Sequence, residues 1–238
     1  MKTSKGNLFL DNLSPNAMDA IRPSLVPIAL EHGEIVDQPG KPFDRVVFPI
    51  NSIVSVVLDM ADGDTAEVGI VGREGMTGLS IVLGQSTAQH RTIVQLPDGA
   101  ACMPVPDLRN ALEKEPDLRS AMLRYAQATI NASSYLSACN GLHMTNERCA
   151  RWLLMGHDRV VGDVLPLTQE FLSQMLGVQR TAVNIAAGVL QEAGFISYTR
   201  GHITIRNRSG LESAACECYD GMDETWQNVM GYSTKKPA

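Results

Sequence analysis

No run of about 18 apolar residues, the minimum for a helix that crosses a bilayer, occurs in this chain. The N-terminal stretch MKTSKGNLFLDNLS also lacks the extended apolar core of a secretory leader. Both absences set the expectation of a cytoplasmic protein with no membrane partner. Cysteine is scarce and odd in number: Cys102, Cys139, Cys149, Cys216 and Cys218 are scattered over 238 residues, which argues against a disulfide framework. An excess of basic charge is missing too, the net charge being −6. What is plentiful is apolar side chain, 44% of the residues, enough for one large domain or two small ones with proper cores.

The negative charge is unevenly spread. Residues 1–106 carry −5 and the tail 210–238 carries −3, while 107–162 and 163–209 carry +1 each. The two middle segments are therefore the only ones whose charge favours an anionic partner, and only mildly.

Hydrophobic periodicity divides the chain into three. From about residue 25 to 106, short β-branched runs (RVVFPI, SIVSVVLDM, AEVGIV, RTIVQL) alternate with turn signals at Pro39-Gly40, Asp62-Gly63, Gly72 and Gly75. Strands at roughly ten-residue intervals predict an antiparallel sandwich or jelly roll. From about 107 to 140 the period becomes helical. Leu118, Tyr125, Ala132 and Cys139 recur by sevens, interleaved with Met122, Thr129 and Leu136. This seam predicts either a dimerisation helix or a helix packed on its own β-domain. Asn140-Gly141 weakens the helix, and Thr145 is placed to cap a new one carrying Ala150, Leu153 and Leu154, which makes the 140s a hinge.

The stretch LTQEFLSQMLGVQRTAVNIAAGVLQEAG, residues 167–194, carries the most specific signal. Thr168 stands where an N-cap is wanted, and Phe171, Leu172, Met175 and Leu176 recur at helical spacing. Gly177 ends that helix without strain, and Val178 is expected to be buried at the joint. A second helix presents Val183, Ala186, Ala187 and Leu190 inward, and Gln179, Arg180, Thr181, Asn184 and Ile185 outward. Two short helices at a steep angle let the first lie across a phosphate backbone while the second enters the major groove. Gly188, costly in a helix by about 1 kcal/mol, is expected to mark a close approach. FISYTRGHITIR, residues 195–206, then reads as a β-hairpin "wing" with Arg200, His202 and Arg206 near its tip.

These residues carry a family resemblance. HGEIVDQPGKPFDRVVFPINSIVSVV (32–57), GREGM (72–76), HRTIVQ (90–95) and LTQEFLSQMLGVQRTAV through AGFI (167–196) resemble the bacterial Crp/Fnr superfamily of transcription regulators over nearly the whole chain. The resemblance implies an α+β protein in three parts: a double-stranded β-helix (jelly-roll) sensory domain over 1–106, a long dimerisation helix over 107–143 through Leu118, Met122, Tyr125, Thr129, Ala132 and Leu136, and a winged helix-turn-helix domain over 144–238. Implied partners are double-stranded DNA, a second copy of the chain, RNA polymerase and a small-molecule effector. Thr168, Gln179, Arg180, Thr181, Asn184, Ile185, Arg200, His202 and Arg206 become the expected DNA contacts. Arg180 suits guanine O6 and N7, Asn184 or Gln179 suits adenine, and Ile185 suits a thymine methyl. The family's glutamate and second arginine positions correspond to Thr181 and Ile185, so its familiar operator is not expected.

The resemblance also implies where an effector would sit. Arg91-Thr92 matches the family's phosphate-gripping pair, but the position of its ribose-binding carboxylate corresponds to Met76, whose thioether cannot replace a carboxylate. The expected effector is therefore not cyclic AMP, and a cyclic-nucleotide sensor is the alternative reading. With no cysteine before Cys102, an N-terminal iron–sulfur cluster is not expected. His32 and His90 are isolated candidates for a haem ligand. Cys216-Glu217-Cys218 is either a metal or redox pair without partners nearby in sequence or part of an exposed helix. No histidine pair at ligand spacing suggests a cupin-like enzyme. The expectation is no enzyme, no cofactor and no metal.

Overall fold

The computed structural model describes residues 6–61 and 63–236. Asp62 of the expected turn and the first five residues of the N-terminal stretch lie outside them. Seven strands form the β-domain: β1 (Val26–Ala29), β2 (Ile35–Asp37), β3 (Arg45–Pro49), β4 (Ile53–Asp59), β5 (Thr65–Val71), β6 (Arg91–Leu96) and β7 (Gly99–Pro104). They make two antiparallel sheets, ordered β1-β7-β3 and β2-β6-β4-β5. Strand alternation turns Val47, Val54, Val94 and Ala100 into the space between the sheets, while Val46 and Phe48 face the other way. The second faces are covered as well, one by helices and the other by the C-terminal domain.

The helical cover begins before the first strand, a feature that periodicity over 25–106 does not reveal. Helices α1 (Leu8–Asp11) and α2 (Pro15–Ile21) bury Phe9, Leu10, Met18 and Ile21 beside Phe48 and Met103. A four-residue α3 (Leu79–Val82) follows β5, and α4 (Val105–Lys114) follows β7. The long helix then starts afresh as α5 (Pro116–Leu142). Glu115 between them is extended, φ −120° and ψ 98°, because Pro116 disfavours a helical residue before it.

The face of α5 that carries the heptad seam turns inward. Leu118, Met122 and Tyr125 are buried in their own chain's core against Phe9, Met76 and Trp226, and Thr129, Ala132 and Leu136 are half-buried in the same direction. Leu118, Met122 and Tyr125 are thus not available to a second copy, which corrects their assignment to dimerisation. The reason is that the one continuously apolar face of α5 is covered by its own chain. Leu123 and Ile130 lie on the opposite, exposed face, on a second heptad row with Ser120, Gln127, Ser134, Ser137 and Gly141.

Helix α6 (Thr145–Arg159) follows two extended residues, His143 and Met144. Its capping differs from the expectation at Thr145: Met144 is the N-cap, and its N–H donates to the Glu147 carboxylate at 2.8 Å. Next come β8 (Val164–Leu165), α7 (Gln169–Leu176), α8 (Arg180–Glu192), the hairpin β9 (Ile196–Thr199) and β10 (His202–Ile205), and α9 (Arg208–Ala214). Trp152, Leu153, Leu172, Val183, Leu190 and Ile203 make their core. Ile53, Val57 and Leu96 of the β-domain belong to the same cluster, so the two units share one seam.

The tail departs from the division that ends the DNA-binding domain at residue 238. Helix α10 (Cys218–Met230) packs along α5 rather than on the helix-turn-helix. Trp226 sits between Tyr125 and Tyr232, with ring centroids 5.7 and 6.3 Å away. The chain leaves α5 for the helix-turn-helix and afterwards returns to it.

Candidate nucleic-acid interface and the cavity behind it

The joint between α7 and α8 forms as backbone chemistry requires. The Thr168 hydroxyl accepts from the Phe171 N–H at 3.1 Å and caps α7. At the other end Gly177 is left-handed, φ 61° and ψ 41°, and the N–H groups of Gly177 and Val178 donate to the Gln174 and Ser173 carbonyls. Val178 is half-buried in the shared core. Helix α8 follows after one extended residue, Gln179.

The outward side of α8 holds the residues expected there. Arg180 is 62% exposed at its side chain and pairs with the exposed Glu170 at 3.1 Å. Thr181 and Asn184 are exposed, and Ile185 is 70% exposed, an unusual placement for an isoleucine without a partner. Val189 extends this row at 48% and was not anticipated. Gly188 corrects an expectation: a Cβ added there meets nothing within 4 Å. It lies on the same outward row, seven residues beyond Thr181, so no neighbouring element approaches it.

The wing closes through a tight turn. Arg200 has φ 48° and Gly201 φ 80°, the pair of positive angles that a two-residue type I′ turn demands. Arg200 is the one non-glycine residue with positive φ among the described residues and is held out into solvent with His202. Arg206 is exposed at the base of β10 and donates to Ser197 Oγ at 3.0 Å.

The two expected effector residues are not brought together. Neighbours in a strand face opposite ways: Arg91 points outward into a two-pronged pair with Asp59 at 2.6 and 2.9 Å, while Thr92 is buried and bonds to Asp37. Met76 is buried in the core. The Tyr125 hydroxyl donates to its carbonyl at 2.8 Å and accepts from its N–H at 3.0 Å. The GREGM loop is filled by the protein itself. A Cβ on Gly75 would lie 2.3 Å from the Tyr125 ring, and one on Gly72 would lie 2.5 Å from Arg159 Cδ. Arg159, from α6, pairs with Glu74 at 2.9 Å with both side chains almost wholly buried.

A cavity of about 450 Å³ lies between β5, α5, α6 and α10. Its lining includes Glu67, His90, Thr129, Ser133, Arg151 and Arg159. Glu67 stands at the seam with the helix-turn-helix unit and accepts from Trp152 Nε1 at 2.9 Å, Gln95 Nε2 at 2.9 Å and Ser55 Oγ. Burial pushes its carboxyl up to about 7, against the pull of the Ser55 and Trp152 hydrogen bonds and the Arg151 and Arg159 charges. No sequence motif marks Glu67 or Trp152 as partners, because 85 residues separate them.

The Cys216-Glu217-Cys218 pair is not on an exposed helix. Both sulfurs are buried beside Cys139, and His143 stands at the same place. The absence of partner ligands holds in sequence and not in space. His32 Nδ1, by contrast, is 2.8 Å from the Gln95 carbonyl.

A two-helix motif with a wing, its second helix projecting outward from a carrier built on a β-roll, defines a DNA-binding transcription regulator. Residues 147–214 match the Crp-like helix-turn-helix domain family. The chain is 28% identical over 219 residues to a CRP-like cAMP-activated global transcriptional regulator of Mycobacterium tuberculosis, covering 87% of this chain and 96% of that one. It is 25% identical over 183 residues to the global nitrogen regulator of Synechocystis, covering 73% and 81%. In fold it is similar to FixK2 from Bradyrhizobium japonicum, with TM-score 0.69, 15% identity and coverage of 81% and 98%. It is also similar to the c-di-GMP responsive global regulator CLP of Xanthomonas campestris, with TM-score 0.63, 14% identity and coverage of 81% and 99%. Residues 147–214 thus carry a Crp-like helix-turn-helix domain, and in sequence and fold the chain is similar to transcription regulators of the Crp/Fnr type. No helix among the described residues is long and apolar enough to cross a membrane.

Proposed function

We propose that this regulator acts as a homodimer on a near-palindromic operator, with one α8 helix entering the major groove in each half-site about 10 bp apart. The observation that carries the reading is Arg180 at the start of α8, outward and restrained by nothing stronger than an exposed pair with Glu170. Such a pair is worth at most about 1 kcal/mol, so the guanidinium is free to exchange it for a base edge. Thr181, Asn184 and Ile185 supply the neighbouring contacts, Thr168 at the start of α7 and Gln179 at the joint add others, and Arg200, His202 and Arg206 reach the backbone from the wing. The exposed Leu123 and Ile130 row of α5 supports a dimer contact on that face.

The same geometry favours an effector other than a cyclic nucleotide. Arg91 is engaged by Asp59, and the loop that would meet a ribose is occupied by Tyr125 and Arg159. The cavity beside Glu67 is the place we assign to a small-molecule effector, and RNA polymerase is the partner through which the regulator would act.

Selection of bound DNA from a random pool tests the reading. The wild-type protein enriches an inverted repeat, and Arg180→Ala loses about 1–3 kcal/mol of affinity and relaxes one base position per half-site. Loss of Arg200 or Arg206 weakens all sequences alike. Unchanged sequence preference in Arg180→Ala would remove that residue from the reading, and a protein indifferent to DNA at low salt would remove the function.

A further inference from the structure

Four potential ligand atoms converge where α5 ends and α10 begins. Cys139 lies in the last turn of α5, and His143, the extended residue that caps it, donates its N–H to the Cys139 carbonyl at 3.1 Å. Cys216 and Cys218 come from the turn that starts α10. The three sulfurs and a His143 ring nitrogen all lie within 4.8 Å of one another. Cys139 Sγ is 3.4 Å from Cys216 Sγ, and Cys218 Sγ is 3.6 Å from His143 Nδ1. A tetrahedral ion with metal–sulfur bonds of about 2.3 Å and metal–nitrogen bonds of about 2.0 Å sets sulfurs about 3.8 Å apart and sulfur and nitrogen about 3.5 Å apart. The two shortest separations lie close to these values, and the remaining pairs, all within 4.8 Å, need to close by about 1 Å at most to surround one ion.

The surroundings fit the same ion. The other ring nitrogen, His143 Nε2, is 3.1 Å from Glu217 Oε2, which is how a metal-bound histidine is commonly oriented. Three thiolates around a divalent ion leave one net negative charge, and two guanidinium groups stand beside it. Arg151 hydrogen-bonds to the Cys139 sulfur, and Arg148 feels the charge of Cys139 and Cys216. Both arginines are buried, neither makes a salt bridge among the described residues, and each keeps a buried Nε without a partner.

We propose that Cys139, His143, Cys216 and Cys218 form a Cys₃His site for a single thiophilic divalent ion of the zinc type, and that the ion clasps the helix-turn-helix unit. The clasp follows from connectivity. One ligand pair spans the end of α5 and the extended joint through which the chain enters α6, and the other lies directly after α9, where the matched domain ends and the chain returns to α5. Occupancy ties the two ends of that unit to α5. This second half of the proposal rests on the DNA-binding reading above; the site itself does not.

The test uses Co(II) as an optical probe on the full-length protein, reduced and stripped with chelator. One equivalent binds, with sulfur-to-cobalt charge-transfer bands and the intense visible bands of tetrahedral coordination, and Zn(II) displaces it. Cys102→Ser keeps these bands, and Cys218→Ser and His143→Ala lose them. Glu217→Gln, at an exposed position, weakens Co(II) binding about 10- to 100-fold without altering far-ultraviolet dichroism. Weak octahedral Co(II) binding, equal loss in Cys102→Ser, a stable Cys139–Cys216 disulfide under thiol reductant, or a brown protein with acid-labile sulfide would each overturn the site. Zn(II) changes the affinity for the selected operator at least several-fold. Equal affinity with and without Zn(II), in protein that binds the metal, overturns the clasp alone. Absence of any DNA binding counts against the regulator reading and leaves the optical result to stand or fall by itself.

Discussion

Replacing Glu67 by glutamine should remove a pH dependence that the seam between the β-domain and the helix-turn-helix unit imposes on stability. Burial raises the Glu67 carboxyl from 4.5 to about 7. Because the folded value lies above the unfolded one, the folded state binds the extra proton between those limits. The stabilisation is fully present below about pH 4.5 and is lost as pH rises through 7. At about 1.4 kcal/mol per pH unit the loss amounts to about 3 kcal/mol. The charged form is not without support, since Ser55, Trp152 and Gln95 all donate to it. The cost of desolvating the charge outweighs them. The protonated form needs an acceptor, and Gln95 Oε1, buried without a partner, supplies one once that amide turns. Glu67→Gln keeps the shape and the acceptor for Trp152 but does not titrate. Urea unfolding of both proteins from pH 4.5 to 8 should show the wild type losing about 3 kcal/mol relative to the variant as pH rises, with other carboxylates cancelling in the difference. Parallel stability curves would show that water or the Arg151 and Arg159 charges keep Glu67 ionised, and the argument from desolvation would be wrong.

Two further outcomes follow from the same geometry. Breaking the buried Glu74–Arg159 pair at one end, by Glu74→Gln or Arg159→Met, should cost about 3–5 kcal/mol in urea unfolding because the other charge is left alone; the double variant should lose much less than the sum, and strict additivity would rule out the coupling. Leu123→Glu with Ile130→Glu should convert a dimer to a folded monomer in sedimentation velocity, whereas Leu118→Glu should unfold the chain, since that side chain is fully buried. A dimer that survives the double substitution would place the contact elsewhere.

Much of the outward surface of α8 and the wing was legible in the residues because its signals are local. Thr168 as cap, Gly177 as terminator and the polar row of α8 all act within one or two turns, so spacing alone places them. The Arg200-Gly201 turn is equally local, and the strands show through alternation because each sheet buries a face. Misreadings arose where two surfaces compete for one element. Helix α5 has one continuously apolar face, and nothing in its own sequence says whether a second copy or its own β-domain covers it. What covers Tyr125, Met122 and Leu118 is Phe9 and Trp226, from opposite ends of the chain. Gly188 misled for a related reason: glycine marks absence of a side chain, and whether that space is filled depends on distant elements.

Local periodicity and turn chemistry determined the order of strands, long helix, helix-turn-helix and wing, since hydrogen bonding and amphipathic burial act between near neighbours. Only the tertiary structure decided which face of α5 is free, that Arg91 is spent on Asp59, and that Glu74 and Glu67 bind the helix-turn-helix unit to the β-roll. It also decided that Cys139 and His143 meet Cys216 and Cys218. Those contacts join residues 32 to 85 positions apart, and their energies depend on burial and charge geometry that exist only after the chain has folded.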